Sequence, residues 1–278
     1  MEKRVVITGL GAVTPVGIGK ENFYNALLEG KSGIGPITRF DASDYATRIA
    51  GEVKDFDITQ YGVDKKEARR MDRSVEFAIG AAVLAADDAK LALDEEDLDR
   101  CGTVVGTGIG GIDSIHEVYT TLFDKGPGRV SPFAVPMMIA NMSSARVSIR
   151  LGLKGPVITD VTACTSGTNA IGDAFRIIQR GDADIMFAGG TEAAVSPAAV
   201  AGFAAMKAMS TRNDEPTKAS RPFDKDRDGF VMGEGAGIVV LEELEHAKAR
   251  GAHIYAEVVG YGTNGDAYHI TAPAPGGV

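Results

Sequence analysis

A short β-branched stretch leads through a turn of small residues into an amphipathic helix, and this unit constrains the fold more than any other part of the sequence. Val157, Ile158 and Val161 predict a short buried strand, because β-branched apolar side chains favour strands. Apolar residues then recur at three- and four-residue steps across 170–178, and Gly181 stands where a left-handed residue caps a helix. A strand followed directly by a helix is the building unit of layered α/β proteins.

Cys164 occupies the turn of this unit, at or just before the start of the helix. Unpaired backbone N–H groups and the helix dipole favour an anion such as a thiolate there, and the small neighbours admit a substrate carbonyl. Cys164 is therefore a candidate nucleophile in a strand–turn–helix elbow. The alternative is a packing role, which is more common for a lone free cysteine. Cys101 opens an apolar strand and is interpreted as structural.

Strands and helices alternate along the rest of the chain. We predict strands at 4–8, 103–106, 184–188, 237–242 and 254–260. We predict helices at 21–28, 73–91, 112–124, 137–149, 197–206 and 243–250. This alternation favours an α/β layered fold with a largely buried sheet.

Length, charge and cysteine content narrow the functional class. The 278 residues suffice for one large domain or two smaller ones. A net charge of −9 argues against general nucleic-acid binding, so an acidic partner would need a local basic patch. No apolar stretch is long enough to span a bilayer, and two cysteines in a chain of this size indicate a reducing compartment. We therefore expect a cytoplasmic protein with no nucleic-acid or membrane partner.

Two motifs suggest ligand sites that their context does not support. Residues 106–111 match the dinucleotide pattern G-x-G-x-x-G, but no second strand ending in an acidic residue follows at the required distance. We interpret these glycines as letting the backbone crowd a pocket. Residues 224–229 resemble the start of a calcium loop, but Gly235 stands at the twelfth position, where an acid is needed. We predict a charged turn held by internal ion pairs, and we expect no metal ion and no cofactor.

Residues 65–73 concentrate positive charge within an otherwise acidic chain. A solvated helix start is the common explanation for such a cluster. A docking patch for an anionic partner is the alternative, and the negative background of the chain makes it worth testing.

Several motifs together resemble the β-ketoacyl-acyl-carrier-protein synthases, specifically those of the elongating synthase II type. The segment around Cys164, VTACTSG, resembles the active-site motif of that family. The further matching segments are VVITGLGAVTPVG at 5–17, GTGIGG at 106–111, GDADIMFAGG at 181–190, STRN at 210–213, SRPFDKDRDGFVMGEGAG at 220–237 and DAYHIT at 266–271. The resemblance extends over essentially the whole chain.

The resemblance implies a thiolase-like fold, in which helices pack on mixed sheets in two similar halves and the protein forms a homodimer. Residues 1–251 would form the N-terminal half that carries the nucleophile. Residues 252–278 would form the first strand and gate loop of a truncated C-terminal half. The catalytic histidines expected in the family, in a His-Gly-Thr segment and a later Gly-His segment, do not occur in this sequence. We therefore expect the chain as given to be inactive in full condensation.

The resemblance also implies a reaction and a set of roles. Cys164 would take an acyl chain from an acyl carrier protein, and a decarboxylated malonyl-carrier thioester would then attack it to give a β-ketoacyl product. Ile109 and Phe203 would line the acyl pocket, with Phe230 packed near the cysteine. The gate loop would contain Asp266 and His269, and Thr271 would lie near the pantetheine arm. The residues that would meet the acidic carrier protein are Lys66, Arg69, Arg70, Arg129 and Lys207.

Two alternatives remain open from the sequence. One is a polyketide-type ketosynthase domain, although the Thr-Ser-Gly that follows Cys164 suits the fatty-acid type better. The other is a non-catalytic dimer scaffold or chain-length partner. Such partners replace the nucleophile, whereas Cys164 is present here.

Overall fold

A mixed β-sheet with helices on both faces forms the centre of the protein. The computed structural model describes residues 2–277. The strands are β1 (Val5–Thr14), β2 (Gly17–Ile18), β3 (Ile34–Pro36), β4 (Ile49–Gly51), β5 (Cys101–Gly106), β6 (Val157–Ile158), β7 (Ile185–Glu192), β8 (Gly235–Glu243) and β9 (Ala256–Val258). The helices are α1 (Lys20–Leu28), α2 (Lys65–Ala68), α3 (Arg73–Ala89), α4 (Ile112–Lys125), α5 (Ala134–Met138), α6 (Met142–Leu151), α7 (Ser166–Arg180), α8 (Pro197–Ala205) and α9 (Leu244–Ala249).

The main sheet combines parallel and antiparallel pairs in the order β2-β1-β8-β7-β5-β6, with β9 pairing to β1 as well. Strand β5 is parallel to both β6 and β7, whereas β7, β8 and β1 pair antiparallel in succession. Strands β3 and β4 form a separate two-stranded sheet. The α/β layered fold with a mixed sheet, predicted from the sequence, is confirmed. Among residues 2–277, no helix combines the length and apolar character needed to cross a bilayer.

Both faces of strand β7 are buried, which explains its nearly continuous apolar run. Ile185 and Phe187 point into a core that contains α3, and Met186 and Ala188 point into a second core that contains α7. Alternate side chains of one strand thus serve two different helix layers. A strand covered on both faces is apolar throughout and does not alternate with polar residues.

Two glycines of β1 allow α3 to lie directly on the strand. A Cβ at Gly9 would lie 2.3 Å from the Ala85 carbonyl oxygen, and one at Gly11 would lie 1.9 Å from the Ala81 carbonyl oxygen. A larger residue at either position would push the helix away from the sheet. Asp72 caps this helix, because its side chain accepts a hydrogen bond from the Ser74 N–H. The glycines of the 5–17 segment are therefore explained by packing.

The strand–turn–helix unit forms as predicted, except for the burial of its strand. Helix α7 ends at Gly181, which has a φ of 88° in the left-handed region. The prediction of a buried strand was wrong: Val157, Ile158 and Val161 are all exposed. The physical reason is that β6 is the outermost strand of the sheet and pairs only with β5 among the described residues.

Other element bounds differ from the sequence predictions for tertiary reasons. The single helix predicted at 137–149 is divided into α5 and α6. The glycine loop at 106–111 presses against this division, because a Cβ at Gly110 would lie 3.0 Å from the Ala140 Cα. The helix is thus interrupted where a loop distant in sequence packs against it, which local periodicity does not predict. Strand β1 extends past the predicted 4–8, and β9 is shorter than the predicted 254–260.

Candidate active site

Cys164 lies in a single turn of 3-10 helix, Ala163–Thr165, immediately before α7. Cys164 is exposed to solvent, whereas Cys101 is buried. Ala163, directly before it, has a φ of 53°, a left-handed conformation that non-glycine residues rarely adopt. Backbone strain of this kind persists only where the surrounding structure holds it in place. The turn is therefore a fixed support for the thiol.

The buried hydroxyl of Ser166 holds this turn. Its Oγ accepts a hydrogen bond from the Thr162 N–H at 2.9 Å. The same oxygen lies 2.6 Å from the Ala163 carbonyl oxygen and 3.1 Å from the Thr107 carbonyl oxygen, and these two acceptors share its single proton. Gly106 makes this contact possible, because a Cβ there would lie 2.2 Å from the Ser166 carbonyl oxygen. The glycine loop and the cysteine turn are thus joined at close range, as the crowded-pocket interpretation predicted.

A cavity of about 740 Å³ opens beside the cysteine. Its wall contains Cys164 together with Ile109, Phe203 and Phe230. The rest of the lining consists largely of small and apolar residues from the ends of β1, β5, β7 and β8. Such a cavity suits an extended apolar ligand whose reactive end lies at the thiol. The structure therefore brings together the candidate nucleophile, the two residues that the resemblance assigned to the acyl pocket, and Phe230, which the resemblance placed near the cysteine.

The two phenylalanines of the cavity wall contact each other. The ring centroids of Phe203 and Phe230 lie 5.4 Å apart in an edge-to-face arrangement. The Phe230 backbone N–H donates to the Ala208 carbonyl at 3.0 Å, and its carbonyl accepts from the Ser210 N–H at 2.9 Å. These bonds fix Phe230 in the loop between α8 and β8. The cavity wall is thus assembled from segments that are distant in sequence.

Glu192 is a cavity-lining residue that the sequence analysis missed. It ends β7, and its carboxylate accepts hydrogen bonds from the Gly108 N–H at 2.7 Å and the Ile109 N–H at 3.0 Å. Burial raises the pKa of Glu192, although the N–H groups that it binds act in the opposite direction. The only sequence signal was an acidic residue directly after the small-residue strand that ends in Gly-Gly-Thr.

Glu234 is a second acidic residue of the wall that the sequence analysis missed. Its side chain is fully buried and pairs with Arg73, whose Nη2 lies 2.9 Å from Oε1. It also accepts a hydrogen bond from the Val53 N–H at 2.9 Å. Because its charge is paired and its acceptor atoms are used, we assign Glu234 a structural role.

The predicted gate-loop residues Asp266 and His269 lie on one segment with Thr271, which was predicted near the pantetheine arm. Asp266, His269 and Thr271 are exposed, and none of them is among the residues that line the cavity. His269 Nδ1 accepts from the backbone N–H groups of Thr271 and Ala272, each at 3.1 Å. Asp266 accepts from the Ala274 N–H at 2.9 Å. These residues form a locally hydrogen-bonded surface segment.

The predicted carrier-binding residues are mostly exposed basic side chains. Lys66 belongs to α2, and Arg69 and Arg70 follow it directly. The Arg70 guanidinium lies 4.2 Å from the ring centroid of Phe133, which brings the end of α2 to the loop that carries Arg129. Lys207 follows α8 in a separate place. Within residues 2–277, none of these five side chains forms an ion pair.

The calcium-like segment 224–229 forms a charged turn as predicted, but among the described residues its ion pair is made with Arg221, just before the segment, and not within it. Arg221 pairs with Asp228 at 3.3 Å, and Asp228 accepts from the Thr211 N–H at 2.9 Å. The Asp224 side chain accepts from the Asp226 N–H at 2.7 Å. No group of three or more metal-ligating side chains occurs within the described part of the chain.

A family model and a curated relative indicate the same family of proteins. Residues 2–247 match the family model described as Beta-ketoacyl synthase, N-terminal domain. The chain is 60% identical over 276 residues to the 3-oxoacyl-[acyl-carrier-protein] synthase 2 of Synechocystis sp., which covers 99% of this chain. The chain spans 66% of the length of that curated relative.

Solved structures show the same similarity. A crystal structure of a β-ketoacyl synthase from Burkholderia phymatum has a TM-score of 0.88 and 39% identity, over 98% of this chain and 66% of that one. A type II PKS acyl-carrier protein in complex with its ketosynthase, bound to the hexaketide, gives a TM-score of 0.87 and 34% identity over the same shares.

Proposed function

The chain belongs to the β-ketoacyl synthase family, and on that premise we propose that Cys164 accepts an acyl chain from an acyl-carrier-protein thioester in fatty-acid elongation. One observation carries the proposal: the exposed thiol begins a helix and lines an apolar cavity with Ile109, Phe203 and Phe230. The relative of Synechocystis sp., at 60% identity, carries the name of an elongating synthase. The acyl chain would occupy the cavity with its thioester carbonyl at the sulfur.

The first half-reaction is a thiol–thioester exchange. The Cys164 thiolate attacks the carbonyl carbon, and the carbonyl oxygen takes up the negative charge. Backbone N–H groups at the start of α7 would stabilise that oxygen, because the first N–H groups of a helix have no partner within the helix. The carrier thiolate then leaves as the carbonyl re-forms, and it takes the proton that Cys164 gave up. A thiolate is both a good acyl acceptor and a good leaving group, which makes this covalent step feasible.

The second half-reaction, which we expect the chain as given not to complete, begins when a malonyl-carrier thioester loses CO2 and its carbanion attacks the acyl–Cys164 thioester. The new carbon–carbon bond forms, the carbon–sulfur bond to Cys164 breaks, and the β-ketoacyl product leaves on the carrier. Asp266 and His269 would belong to a gate over the acyl pocket, with Thr271 near the pantetheine arm. This part of the proposal rests on the resemblance: the segment is exposed and does not line the cavity, so a gate would have to move to reach it.

The partner in this proposal is an acidic acyl carrier protein in the cytoplasm. Lys66, Arg69, Arg70, Arg129 and Lys207 would attract it. Their side chains engage in no ion pairs among the described residues, so their positive charge is available to a partner. The solved complex of a type II PKS acyl-carrier protein with its ketosynthase supports a contact of this kind.

We further propose a homodimer that forms through the outer edge of β6. Val157 and Ile158 on this short strand are 42% and 43% exposed, and Val161 follows at 55%. An apolar strand edge of this kind is a template for pairing with another chain, and a second copy would cover it symmetrically. The division into an N-terminal half at 1–251 and the start of a second half at 252–278 remains part of this proposal.

Of the alternatives, a polyketide-type ketosynthase has one observation in its favour. The type II PKS ketosynthase complex superimposes at a TM-score of 0.87, but its identity of 34% is well below the 60% of the fatty-acid relative. An exposed nucleophile on a cavity wall argues against a non-catalytic scaffold. Elongation is therefore the better-supported function.

Mass spectrometry tests the acyl-transfer step directly. The protein is incubated with a medium-chain acyl-carrier thioester, and the modified residue is mapped after digestion. We expect the acyl mass on Cys164 and no such mass in Cys164→Ala. A well-folded wild-type chain that gains no acyl mass, or that is acylated elsewhere, would contradict the proposed function.

A further inference from the structure

Thr107, Gly108 and Ile109 of the segment 107–110 line the cavity, and Gly108 lies close to the cysteine turn. The segment follows β5, and Glu192 ends the neighbouring strand β7. The two strands are parallel, with Gly106 paired to Gly190, so the loop and Glu192 leave the sheet at the same edge. Parallel strands place such residues side by side because their carboxyl ends coincide.

One carboxylate holds nearly the whole of this segment. Oε2 of Glu192 accepts from the Gly108 N–H at 2.7 Å and from the Ile109 N–H at 3.0 Å. The Thr107 hydroxyl donates to Oε1 at 3.1 Å, and that hydroxyl oxygen accepts from the Gly110 N–H, also at 3.1 Å. Hydrogen bonds to an ionised acceptor are stronger than neutral ones, so the carboxylate orders four consecutive residues.

The same segment is confined on its other side by the cysteine turn. A Cβ at Gly108 would lie 3.0 Å from Oε2 of Glu192 and 3.5 Å from the Ala163 carbonyl oxygen. The backbone of the loop therefore runs between the carboxylate and the residue that precedes Cys164. Ile109, whose side chain lines the cavity, cannot shift without breaking a hydrogen bond to Glu192.

Burial makes this arrangement costly. Most of the Glu192 side chain is removed from water, and burial raises the pKa of the carboxyl despite the N–H groups that bind it. No basic side chain forms an ion pair with Glu192 among residues 2–277. The Glu192 carboxylate is therefore balanced by backbone N–H groups and the Thr107 hydroxyl, and these are all groups of the loop at 107–110.

We propose that Glu192 is a positioning residue whose carboxylate fixes the 107–110 backbone, and thereby sets how Ile109 projects into the cavity and how well long acyl chains fit against Cys164. The inference rests on the proposed function, because it assumes that the cavity holds an acyl chain. Without the carboxylate acceptor, an acyl chain would have to order the loop as it binds, and long chains would lose their advantage over short ones.

Two substitutions separate the hydrogen bonds from the volume of the side chain. Glu192→Met has similar length and no acceptor for the Gly108 and Ile109 N–H groups. Glu192→Gln keeps an amide oxygen for those N–H groups and can donate to the Thr107 hydroxyl oxygen. Glu245→Met is the matched control, because Glu245 is an exposed carboxylate that pairs only with Lys248 on α9.

The experiment compares two thiol probes, iodoacetamide and N-dodecyl iodoacetamide, by mass spectrometry at Cys164. The ratio of their second-order rate constants reports how well the cavity holds an apolar tail, and it cancels changes that affect both probes equally. We expect a ratio well above one for the wild type and Glu245→Met. We expect a fall of about three- to tenfold for Glu192→Met, and a nearly wild-type ratio for Glu192→Gln.

The outcomes distinguish this inference from the proposed function. A wild-type ratio near one would contradict the acyl cavity itself and, with it, this inference. A raised wild-type ratio that Glu192→Met retains or exceeds would overturn the inference alone. Equal slowing of both probes in Glu192→Met would also overturn it, because that is the result of a merely structural role. Glu192→Gln behaving like Glu192→Met would overturn the hydrogen-bond account.

Discussion

The two cysteines of this protein occupy opposite ends of neighbouring parallel strands and have different chemistry. Cys101 begins β5, is 1% exposed, and its Sγ lies 3.3 Å from the Asp97 carbonyl oxygen. Burial, reinforced by nearby carboxylates, raises its pKa to about 12. Cys164 follows the carboxyl end of β6, is exposed, and lines the large cavity. The same side chain is inert in one place and available in the other.

The difference lies in what surrounds each strand end. Acidic residues lie near the start of β5, and their negative charge disfavours a thiolate at Cys101; among them are Glu96, Asp97 and Glu242. The turn after β6 is built from small residues and opens into a cavity formed by the carboxyl ends of β5 and β7. Ligand sites of α/β proteins favour the carboxyl ends of parallel strands, and the two cysteines show why.

Thiol labelling gives the largest expected difference between the two regions. We expect iodoacetamide at pH 8 to modify Cys164 at least about a hundredfold faster than Cys101, because Cys101 is buried and its pKa, raised to about 12, leaves almost no thiolate. Peptide mapping at timed intervals measures both rates in one sample. Comparable labelling rates for both cysteines in folded protein would contradict the expected difference in thiol reactivity.

Cys164 is the more reactive of the two cysteines, but we expect Cys101 to contribute more to the stability of the fold. We expect Cys101→Ala to lower the free energy of unfolding by about 1–2 kcal/mol, because it leaves a small cavity in the core beside α3. Cys164→Ala should change it by less than about 0.5 kcal/mol, because the residue is exposed. Urea denaturation of both variants measures this. If Cys164→Ala were the more destabilising change, the thiol would have a packing role after all.

The left-handed residue before Cys164 offers a sharper test of the turn. We expect Ala163→Val to cost about 1 kcal/mol, because a β-branched side chain at a φ of 53° is strained. Ala163→Gly should cost little, since glycine adopts positive φ freely. Thermal unfolding of the pair gives the difference. A valine variant as stable as the glycine variant would show that the turn tolerates another backbone conformation.

The smallest expected effect is a pH dependence at the Cys101 end. Nδ1 of His246 lies 2.6 Å from Oε1 of Glu242, and Nε2 of the same ring lies 3.0 Å from Oε2 of Glu96. Burial alone would lower the pKa of His246, but the two carboxylates together raise it above its ordinary value of 6.5.

A raised histidine pKa contributes stability that is fully present below pH 6.5 and is lost as the pH rises through the folded-state pKa. We expect the wild type to lose a few tenths of a kcal/mol relative to His246→Gln between pH 6 and 9, because solvent screens the partly exposed ring. Chemical denaturation at both pH values measures the difference. Parallel pH curves would exclude His246 as a charged bridge.

Local sequence patterns predicted much of this molecule. The unit around Cys164, the left-handed cap at Gly181 and the alternation of strands and helices follow from propensity and periodicity, which act over a few residues. The pocket residues Ile109, Phe203 and Phe230 came from the resemblance to a family. No spacing rule connects three positions so far apart in the chain.

The tertiary structure decided the features that depend on contact between distant segments. It placed β6 at the edge of the sheet and left Val157 exposed, because strand order is not encoded in a single strand. It also brought Glu192 against the loop at 107–110, because parallel pairing of β5 and β7 aligns their carboxyl ends. The sequence by itself determined where a nucleophilic turn could form, since that depends on neighbours along the chain. Only the packing of the sheet determined which side chains surround it.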